Sequence, residues 1–494
     1  MDAFSTVSLS RGNKSTYHRH QPEHTLLYQI VERYWPEFCG LIEAQGKSLP
    51  LFIQKEFEDY LRCGLLEHGF LRVRCDNCHD EKLVAFSCKR RGICPSCGAR
   101  RMAESAALLV DGVLPERPIR QWVLTFPFQL RFLFASYPEI MSKVLGIVYR
   151  VLSTHLAHKG GFKACDVKSG AVTLIQRFGS ALNLNIHYHM LFLDGVYVNH
   201  HDKVRFVRTK APTISELTVL VHRISQRVGA FLERRGLLVR DMETSYLMFD
   251  EPSEEDELLQ NVLGHSITYR VATGPQQGQK VLTLQTIAPQ PVEEESSDRV
   301  AKVSGFSLHA GVMAESHERK KLEHLCRYIT RPPIAEQRLS LTSTGNVRYA
   351  LKTPFRDGTT HVIFNPLDFI GKLVALIPRP RVNLTRYHGV FAPNCAWRAG
   401  VSPSRRGKRQ PDIKEPKLPT HQTMTWSRRL KRVFSIDINP CQSCAGHVRI
   451  IACIEEPEVI KKILNHLYST GKLSQDRLQL LLPEDRGPPK SSLY

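Results

Sequence analysis

Two histidines that could hold a cation, His187 and His189, stand two residues apart in the stretch NLNIHYHMLFLDG, residues 183–195. Because the side chains of a β-strand alternate between its two faces, both imidazoles share one face with Asn183 and Asn185. The opposite face is apolar and contains Leu182, Leu184, Ile186, Tyr188, Met190 and Phe192. Two imidazoles on one face can chelate a single ion through their open ring nitrogens. The same spacing fits strand histidines that only pack, so both interpretations stay open.

A tyrosine that could act as a nucleophile, Tyr328, lies in the stretch ERKKLEHLCRYITRPP, residues 318–333. The spacing of its apolar residues predicts a helix that the two prolines end. The apolar stripe contains Leu322, Leu325, Cys326 and Ile329, and a second face carries Lys321, His324, Tyr328 and Arg331. A phenol between cations at the rim of a sheet can serve as a nucleophile, although a helical tyrosine is more often a packing residue.

Two CxxC pairs predict a zinc site near the amino terminus. Cys75 and Cys78 form the pair in CDNC, and Cys94 and Cys97 form the pair in CPSC, with fifteen residues between them. Two residues between thiolates let both sulfurs face one ion, and two such turns supply four tetrahedral ligands. A site with four sulfur ligands is closed to water, so we expect structural Zn²⁺ here. Other cysteines and histidines lie nearby in the sequence, so a different choice of ligands or a second ion stays open: Cys63, His68, His79 and Cys88.

A third CxxC pair, Cys441 and Cys444 in CQSC, precedes His447 and Cys453. One pair with loosely spaced additional ligands is weak support for a metal site. The sequence therefore leaves a second zinc site at Cys441 and Cys444 open.

The chain carries a net charge of +20 at pH 7, with a pI of about 9.5. A charge of this size favours a polyanionic partner, most often nucleic acid. Basic side chains surround the predicted zinc site: Lys89, Arg90, Arg91, Arg100 and Arg101. They suit contacts with DNA phosphates, which give affinity without sequence information. Solvated surface charge is the alternative interpretation.

The alternation of strand and helix patterns predicts an α+β fold, with an antiparallel sheet flanked by helices. The predicted divisions are a helical region over 1–65, a zinc-ribbon module over 66–115, a large domain over 116–395, a basic linker over 396–432 and a small C-terminal module over 433–494. An acidic stretch at about 250–300 has the composition of a surface insertion, which we expect to lie away from DNA.

The sequence contains no apolar run long enough to cross a membrane, and its first residues lack the apolar segment of a signal peptide. We therefore expect a cytoplasmic protein with no membrane partner. Its positive charge leads us to expect association with the nucleoid.

The chain resembles the rolling-circle insertion-sequence transposases of the IS91 group and its common-region (ISCR) relatives, which belong to the HUH endonuclease superfamily. The resemblance rests on the two strand histidines, on the tyrosine of a later helix and on their order. The matching stretches run from about residue 25 to 480 and include GFLRVRCDNCHDEKLVAFSCKRRGICPSCGARRM, WVLTFPFQLRF, GSALNLNIHYHMLFLDGVY, LCRYITRPPIAEQRLSL and WSRRLKRVFSIDINPCQSC.

This resemblance implies that residues 116–395 form an HUH catalytic domain that nicks and rejoins single-stranded DNA at element ends. Tyr328 is implied to attack a phosphodiester and to hold the 5′ phosphate covalently. His187 and His189 are implied to bind Mg²⁺ or Mn²⁺ at the scissile phosphate.

The third ligand of that ion is expected to be His309, in the strand-like stretch FSLHAGV, with His324 as the alternative. Arg327 and Arg331 are expected to hold phosphates of the DNA.

At one position the sequence differs from some members of this family. Some members carry two tyrosines spaced YxxxY, whereas the earlier position here is His324. The chain therefore resembles the single-tyrosine branch. Either Tyr328 acts twice or a second subunit contributes one, so an oligomer is compatible with the sequence.

Two other functions stay open on sequence grounds. A zinc-ribbon DNA-binding protein without catalysis explains the charge and the cysteines, but leaves the polar strand face unexplained. A hydrolase with a catalytic zinc at His187 and His189 would need a nearby acidic motif such as HExxH, which the sequence lacks.

Overall fold

The computed structural model describes residues 21–200, 203–241, 245–248, 254–289, 300–404, 441 and 443–470. The chain divides into two compact units. The first takes the described residues within Met1–Gln29, Glu58–Arg90 and Thr423–Tyr494, and the second takes those within Ile30–Phe57 and Arg91–Gln422. The basic linker expected over 396–432 lies outside the described residues from 405 onward.

The described residues contain both helices and strands. The helices are α1 (Leu26–Glu43), α2 (Leu51–Leu61), α3 (Pro95–Leu108), α4 (Phe128–Ser136), α5 (Pro138–Lys159), α6 (Ile214–Arg234), α7 (Glu254–Ile267), α8 (Arg319–Thr330), α9 (Pro366–Leu376), α10 (Arg398–Val401) and α11 (Pro457–Ser469). The strands are β1 (Phe70–Cys75), β2 (Glu81–Ala85), β3 (Ile119–Thr125), β4 (Val167–Lys168), β5 (Gly170–Phe178), β6 (Leu184–Leu193), β7 (Gly195–His200), β8 (Lys203–Arg208), β9 (Leu238–Arg240), β10 (Ser245–Leu247), β11 (Leu282–Gln285), β12 (Val300–Val303), β13 (Phe306–Ala314), β14 (Leu339–Leu341), β15 (Val347–Ala350), β16 (Thr359–Phe364), β17 (Thr385–Gly389) and β18 (Val448–Ile454). The predicted α+β class is confirmed.

The second unit is organised around a six-stranded sheet in the order β12-β13-β3-β6-β5-β17, in which every neighbouring pair is antiparallel. The strand with the two histidines, β6, therefore lies between β3 and β5. Smaller sheets in the same unit have the orders β11-β16-β15-β14, β4-β7-β8 and β10-β9. An inner strand is buried on both faces, and β6 is buried at every residue except the partly exposed Asn185.

The two faces of the central sheet pack against different helices. On the face of Tyr188, the phenol donates a 2.7 Å hydrogen bond to the Met141 carbonyl of α5. On the other face, Leu174 and Leu191 belong to one apolar cluster with Cys326 and Ile329 of α8. The apolar stripe predicted for α8 is therefore the surface that docks this helix onto the sheet.

A buried ion pair joins the strands at one end of the central sheet. The Arg120 guanidinium donates two hydrogen bonds of 2.8 Å to the Asp194 carboxylate, and the two side chains are 3% and 2% exposed. Arg120 donates a third, of 3.1 Å, to the Ala310 carbonyl of β13. These bonds tie β3, the end of β6 and β13 together.

The first unit contains a three-stranded antiparallel sheet in the order β18-β1-β2. Its apolar cluster consists of Leu66, Phe70, Ile460 and Leu464, so α11 packs with residues that lie nearly 400 positions earlier. The sequence analysis predicts a separate C-terminal module over 433–494, whereas β18 pairs with β1 instead.

The acidic stretch near residue 250 also differs from its expectation as a surface insertion. Within it, α7 places Leu258, Leu259, Val262 and Leu263 in the core. These four residues recur at helical spacing, so the acidic composition concealed an amphipathic helix. Asp256, on its polar side, pairs with Arg379 at 2.8 Å.

No helix among the described residues is both long and apolar enough to span a membrane.

We predict that Asp194→Asn lowers the free energy of unfolding by about 3–5 kcal/mol, because it leaves the Arg120 charge buried without its counter-ion. Glu257→Gln is the control, since its 3.1 Å pair with Lys47 has side chains 50% and 33% exposed. That variant should change stability by less than about 1 kcal/mol. Urea unfolding measures both, and equal losses in the two variants would contradict a special role for the buried pair.

We also predict a pH-dependent loss of stability at His388 of β17, whose ring stacks on Tyr149 at 4.7 Å between centroids. Burial, and to a smaller extent Arg386, lowers the pKa of His388 to about 4. The unfolded chain therefore takes up this proton first as the pH falls below about 6.5, and the folded state loses stability until about pH 4.

Between pH 7 and pH 5, the wild type should lose about 2 kcal/mol more than His388→Phe, which keeps a ring but cannot titrate. Urea titrations at the two pH values give the difference. Parallel losses in the two proteins would show that another group is responsible.

Candidate functional site

His187 and His189 lie side by side in the centre of the sheet, 8% and 6% exposed. His187 pairs with Thr125 of β3 and Gln176 of β5, and His189 with Val123 and Leu174. The two imidazoles therefore share one face of the strand, as the sequence analysis predicts. Helix α8 packs against this face.

The two imidazoles point their Nε2 atoms at each other, at a distance of 3.0 Å. His187 Nδ1 lies 2.8 Å from the Asn185 carbonyl, which can only accept, so this nitrogen donates and Nε2 keeps its lone pair. His189 Nδ1 lies 2.7 Å from the Gln121 side-chain amide. Because the amide can be turned to accept or to donate, Gln121 can leave the His189 Nε2 lone pair free as well.

Both imidazoles are held neutral. Burial lowers the pKa of His187 to about 4, and Arg331 and Arg131 act in the same direction. Burial lowers the pKa of His189 to about 2, with further contributions from His187 and Arg331. Neutral imidazole is the form that binds metal ions, so the pair is ready to act as ligands at physiological pH.

The spacing of the pair suits a six-coordinate divalent cation. With ligands at about 2.1 Å and right angles between neighbours, two adjacent donors lie about 3.0 Å apart. His187 and His189 could therefore occupy two neighbouring positions around one ion.

Neither candidate for a third ligand joins the pair. His309 is opposite Val123, which is opposite His189, so the three share one face. Strand β3, however, lies between the strands of His309 and His189. The two backbones are therefore two strand spacings, or about 10 Å, apart. His324 is an exposed residue of α8. Among the described residues, every group of three or more His, Cys, Asp or Glu side chains close enough to share an ion consists of cysteines, so a ligand role for His309 stays a prediction.

Tyr328 lies in the last turn of α8, and its side chain is 41% exposed although the helix is docked on the sheet. Two cations lie against its ring. The Arg331 guanidinium carbon is 4.1 Å from the ring centroid, and the Lys352 ammonium nitrogen is 4.3 Å from it. The phenol is thus accessible to a ligand and lies in a positively charged setting.

A hydrogen bond joins the tyrosine helix to the strand next to His187. Gln176, which is directly opposite His187, donates a 3.1 Å bond from Nε2 to the Ile329 carbonyl, one residue after Tyr328. Arg331 caps the same helix end, since it donates a 2.8 Å bond to the Tyr328 carbonyl. The same guanidinium lowers the pKa of both histidines.

The other basic residues expected at DNA differ in their surroundings. Arg327 is held by Glu323 at 2.6 Å, and Arg90 donates a 2.5 Å bond to Asp59. Arg100 lies 3.5 Å from Glu104 within α3. The remaining side chains, Lys89, Arg91 and Arg101, are exposed. Contact with DNA stays a prediction for all of these residues and for Arg331.

The cysteines are grouped differently from the single site expected of Cys75, Cys78, Cys94 and Cys97. Cys75 and Cys78 instead share a group of four with Cys441 and Cys444, and the sulfurs of this group all lie within 4.8 Å of one another. Cys94 and Cys97 are not members of this group. The two CxxC pairs end in different local structures. The first follows strand β1, whereas Cys94 begins helix α3 with Pro95 in its first turn. The spacing between the pairs gave no information on this difference.

Three residues that contact the site were not identified from the sequence: Gln121, Gln176 and Lys352. Each belongs to a strand or loop that approaches β6 or α8 only in the folded chain, so its position relative to the site could not be predicted. The signal available in sequence was a polar residue inside an otherwise apolar strand, as Gln121 and Gln176 are.

Two parts of the chain match models of known protein families. A family model described as "Putative transposase" matches residues 170–398, and one described as "Transposase zinc-binding domain" matches residues 30–126. Searches of curated proteins and of solved structures found no match. The two matched ranges hold the histidine pair with Tyr328, and the first two CxxC pairs. The chain therefore belongs to the IS91-type transposases, which act on DNA in transposition and carry a zinc-binding domain.

Proposed function

We propose that this transposase nicks and rejoins single-stranded DNA at the ends of its element, with Tyr328 as the nucleophile. The observation that carries the proposal is the placement of the tyrosine helix. Its apolar stripe packs on the histidine face of the sheet, and its last turn is bonded to Gln176, opposite His187. An exposed phenol, a buried pair of neutral imidazoles and two cations thus belong to one part of the second unit.

His187 and His189 are the residues that would hold the divalent ion. Bound there, Mg²⁺ or Mn²⁺ would polarise a phosphoryl oxygen and offset the charge that develops at the scissile phosphate. Gln121 fixes the orientation of the His189 ring through its bond to Nδ1, and the Asn185 carbonyl does the same for His187.

In the proposed reaction, the Tyr328 oxygen forms a bond to the scissile phosphorus and the bond from phosphorus to the 3′ oxygen breaks. The phenol proton passes to solvent, to which the side chain is open, and the departing 3′ oxygen takes up a proton. The 5′ phosphate remains linked to the tyrosine. Because this ester keeps the energy of the cleaved bond, a 3′ hydroxyl of another strand can reverse the step without a nucleotide cofactor.

Arg331 and Lys352 supply the electrostatic part of the site. Both lie against the Tyr328 ring, so a phosphate that reaches the phenol oxygen comes close to two positive charges. Such fixed charges stabilise a transition state with little reorganisation. Docking of α8 restricts the position of the nucleophile, which lowers the entropy cost of attack.

We predict a protein–DNA adduct that survives boiling in detergent when the purified transposase meets single strands covering the two ends of its element. The adduct should require Mg²⁺ or Mn²⁺ and should be absent from Tyr328→Phe. His187→Ala with His189→Ala should reduce it at least about 100-fold, since that variant removes both proposed ligands. Gel electrophoresis of labelled DNA measures the adduct, and mass spectrometry of the modified peptide identifies the tyrosine.

Tyr246→Phe is the matched control, because Tyr246 is 50% exposed but lies on β10. It should form the adduct as the wild type does. An adduct that maps to a different residue would overturn the assignment of Tyr328. DNA binding without any adduct would support the alternative function, a zinc-containing DNA-binding protein without catalysis.

We further predict that Lys352→Gln slows adduct formation about 100-fold in single-turnover experiments, the effect typical of losing one stabilising charge at a transition state. Arg356→Gln is the control: it removes one charge from an exposed position four residues along the same loop. Equal rates in the two variants would mean that Lys352 contributes only general attraction for DNA.

A further inference from the structure

Four cysteines from opposite ends of the chain converge in the first unit. Cys75 is the last residue of strand β1 and Cys78 follows it, while Cys441 and Cys444 precede β18. The Sγ atoms of Cys75 and Cys444 are 3.5 Å apart, and those of Cys78 and Cys441 are 3.4 Å apart. A covalent disulfide has sulfurs about 2.05 Å apart. Four thiolates around one zinc ion, each at about 2.3 Å, would lie about 3.8 Å from one another, which is close to the observed spacing.

We propose that these four cysteines bind one structural Zn²⁺ and that this ion fastens the C-terminal segment to the β1–β2 hairpin. Cys441 and Cys444 lie outside the residues that the zinc-binding family model matches. The zinc-binding part of this transposase would then include residues from both ends of the chain.

The described residues of the two CxxC turns share two backbone features. In each, the residue after the second cysteine has a positive φ of 58°: His79 in one turn and Ala445 in the other. In each, the first cysteine donates its backbone N–H to the residue five positions later, from Cys75 to Asp80 at 2.9 Å and from Cys441 to Gly446 at 2.8 Å.

Neither His79 nor Ala445 is a glycine, so the left-handed backbone carries a steric cost that something must offset. Two matching turns that present their sulfurs to each other are the arrangement of a tetrahedral zinc site. We infer that the bound ion supplies the offsetting interaction.

Further contacts align the two turns. The backbone N–H of Asp76 donates a 2.9 Å bond to the His447 carbonyl, and the Asp76 carboxylate accepts a 2.9 Å bond from Arg449. A Cβ at Gly446 would lie 2.8 Å from the side-chain nitrogen of Asn77, so a larger residue there would require the Asn77 side chain to shift. The turns are thus held face to face by groups other than the sulfurs.

The strand pairing brings the ligands to one end of the sheet. β18 runs antiparallel to β1 from Phe70 opposite Ile454 to Cys75 opposite Val448. The apolar cluster of this unit is small, with Leu66, Phe70, Ile460 and Leu464 as its buried members among the described residues. Modules with so small a core commonly need a metal ion or another covalent constraint. Sulfur ligands in tetrahedral array select zinc over magnesium.

The zinc content of the full-length protein tests the proposal. Cys441→Ser with Cys444→Ser should lower it by one zinc per chain, as measured by inductively coupled plasma mass spectrometry. Cys165→Ser with Cys453→Ser is the control, since both are exposed cysteines outside this group of four, and it should keep the wild-type content. Cys444→His should keep the ion, because zinc accepts a Cys₃His set. An unchanged content in the double variant would overturn the proposal.

Thiol labelling of the wild-type protein tests the same site without relying on any variant. With zinc bound, peptides containing Cys75, Cys78, Cys441 and Cys444 should react slowly with a maleimide, whereas Cys165 reacts fast. A chelator without reductant should expose all four. Rapid labelling before chelation would contradict a metal site, and protection that only a reductant removes would show disulfides instead. The result does not depend on Tyr328, so it stays distinct from the test of DNA nicking.

Discussion

The register of β6 between its neighbours is the constraint on which the candidate site depends. A shift by one residue would turn His187 and His189 to the opposite face, beneath α5, and bring Tyr188 to the side of α8. Two buried interactions oppose such a shift: the bond from the Tyr188 phenol to α5 and the ion pair of Arg120 with Asp194. Residues outside the histidine pair thus determine where the imidazoles point.

Positive charge has two consequences around the imidazoles. Arg331 acts together with burial to keep both histidines unprotonated. Arg331 and Lys352 also place two positive charges beside the exposed phenol. A DNA phosphate would be drawn to the same cations. Under the proposed function, the buried imidazoles would receive a metal cation and the exposed cations would receive a phosphate anion, as phosphoryl transfer requires.

Local periodicity predicted the parts of the site that lie within single elements. The two-residue period gave the strand and the shared face of His187 and His189, and the helical period gave the docking stripe of α8. Contacts between elements were not predictable, because Gln121, Gln176 and Lys352 approach the site only through strand register and loop closure. Composition did not predict the burial of the segment near residue 250. Its acidic residues suggested a surface insertion, although Leu258 and Val262 belong to the core.

The cysteines show the same limit over a longer distance. A CxxC spacing specifies a turn that can present two sulfurs, but it carries no information about which other turn completes the site. The nearest pair in sequence was the natural expectation for Cys75 and Cys78, yet the first of their partners, Cys441, lies 363 residues beyond Cys78. If these four residues hold zinc, the site closes only when nearly all of the chain has been synthesised. The β1–β2 hairpin can form early from local contacts, while β18 and its two thiolates must wait, so metal binding would mark the completion of folding in this unit.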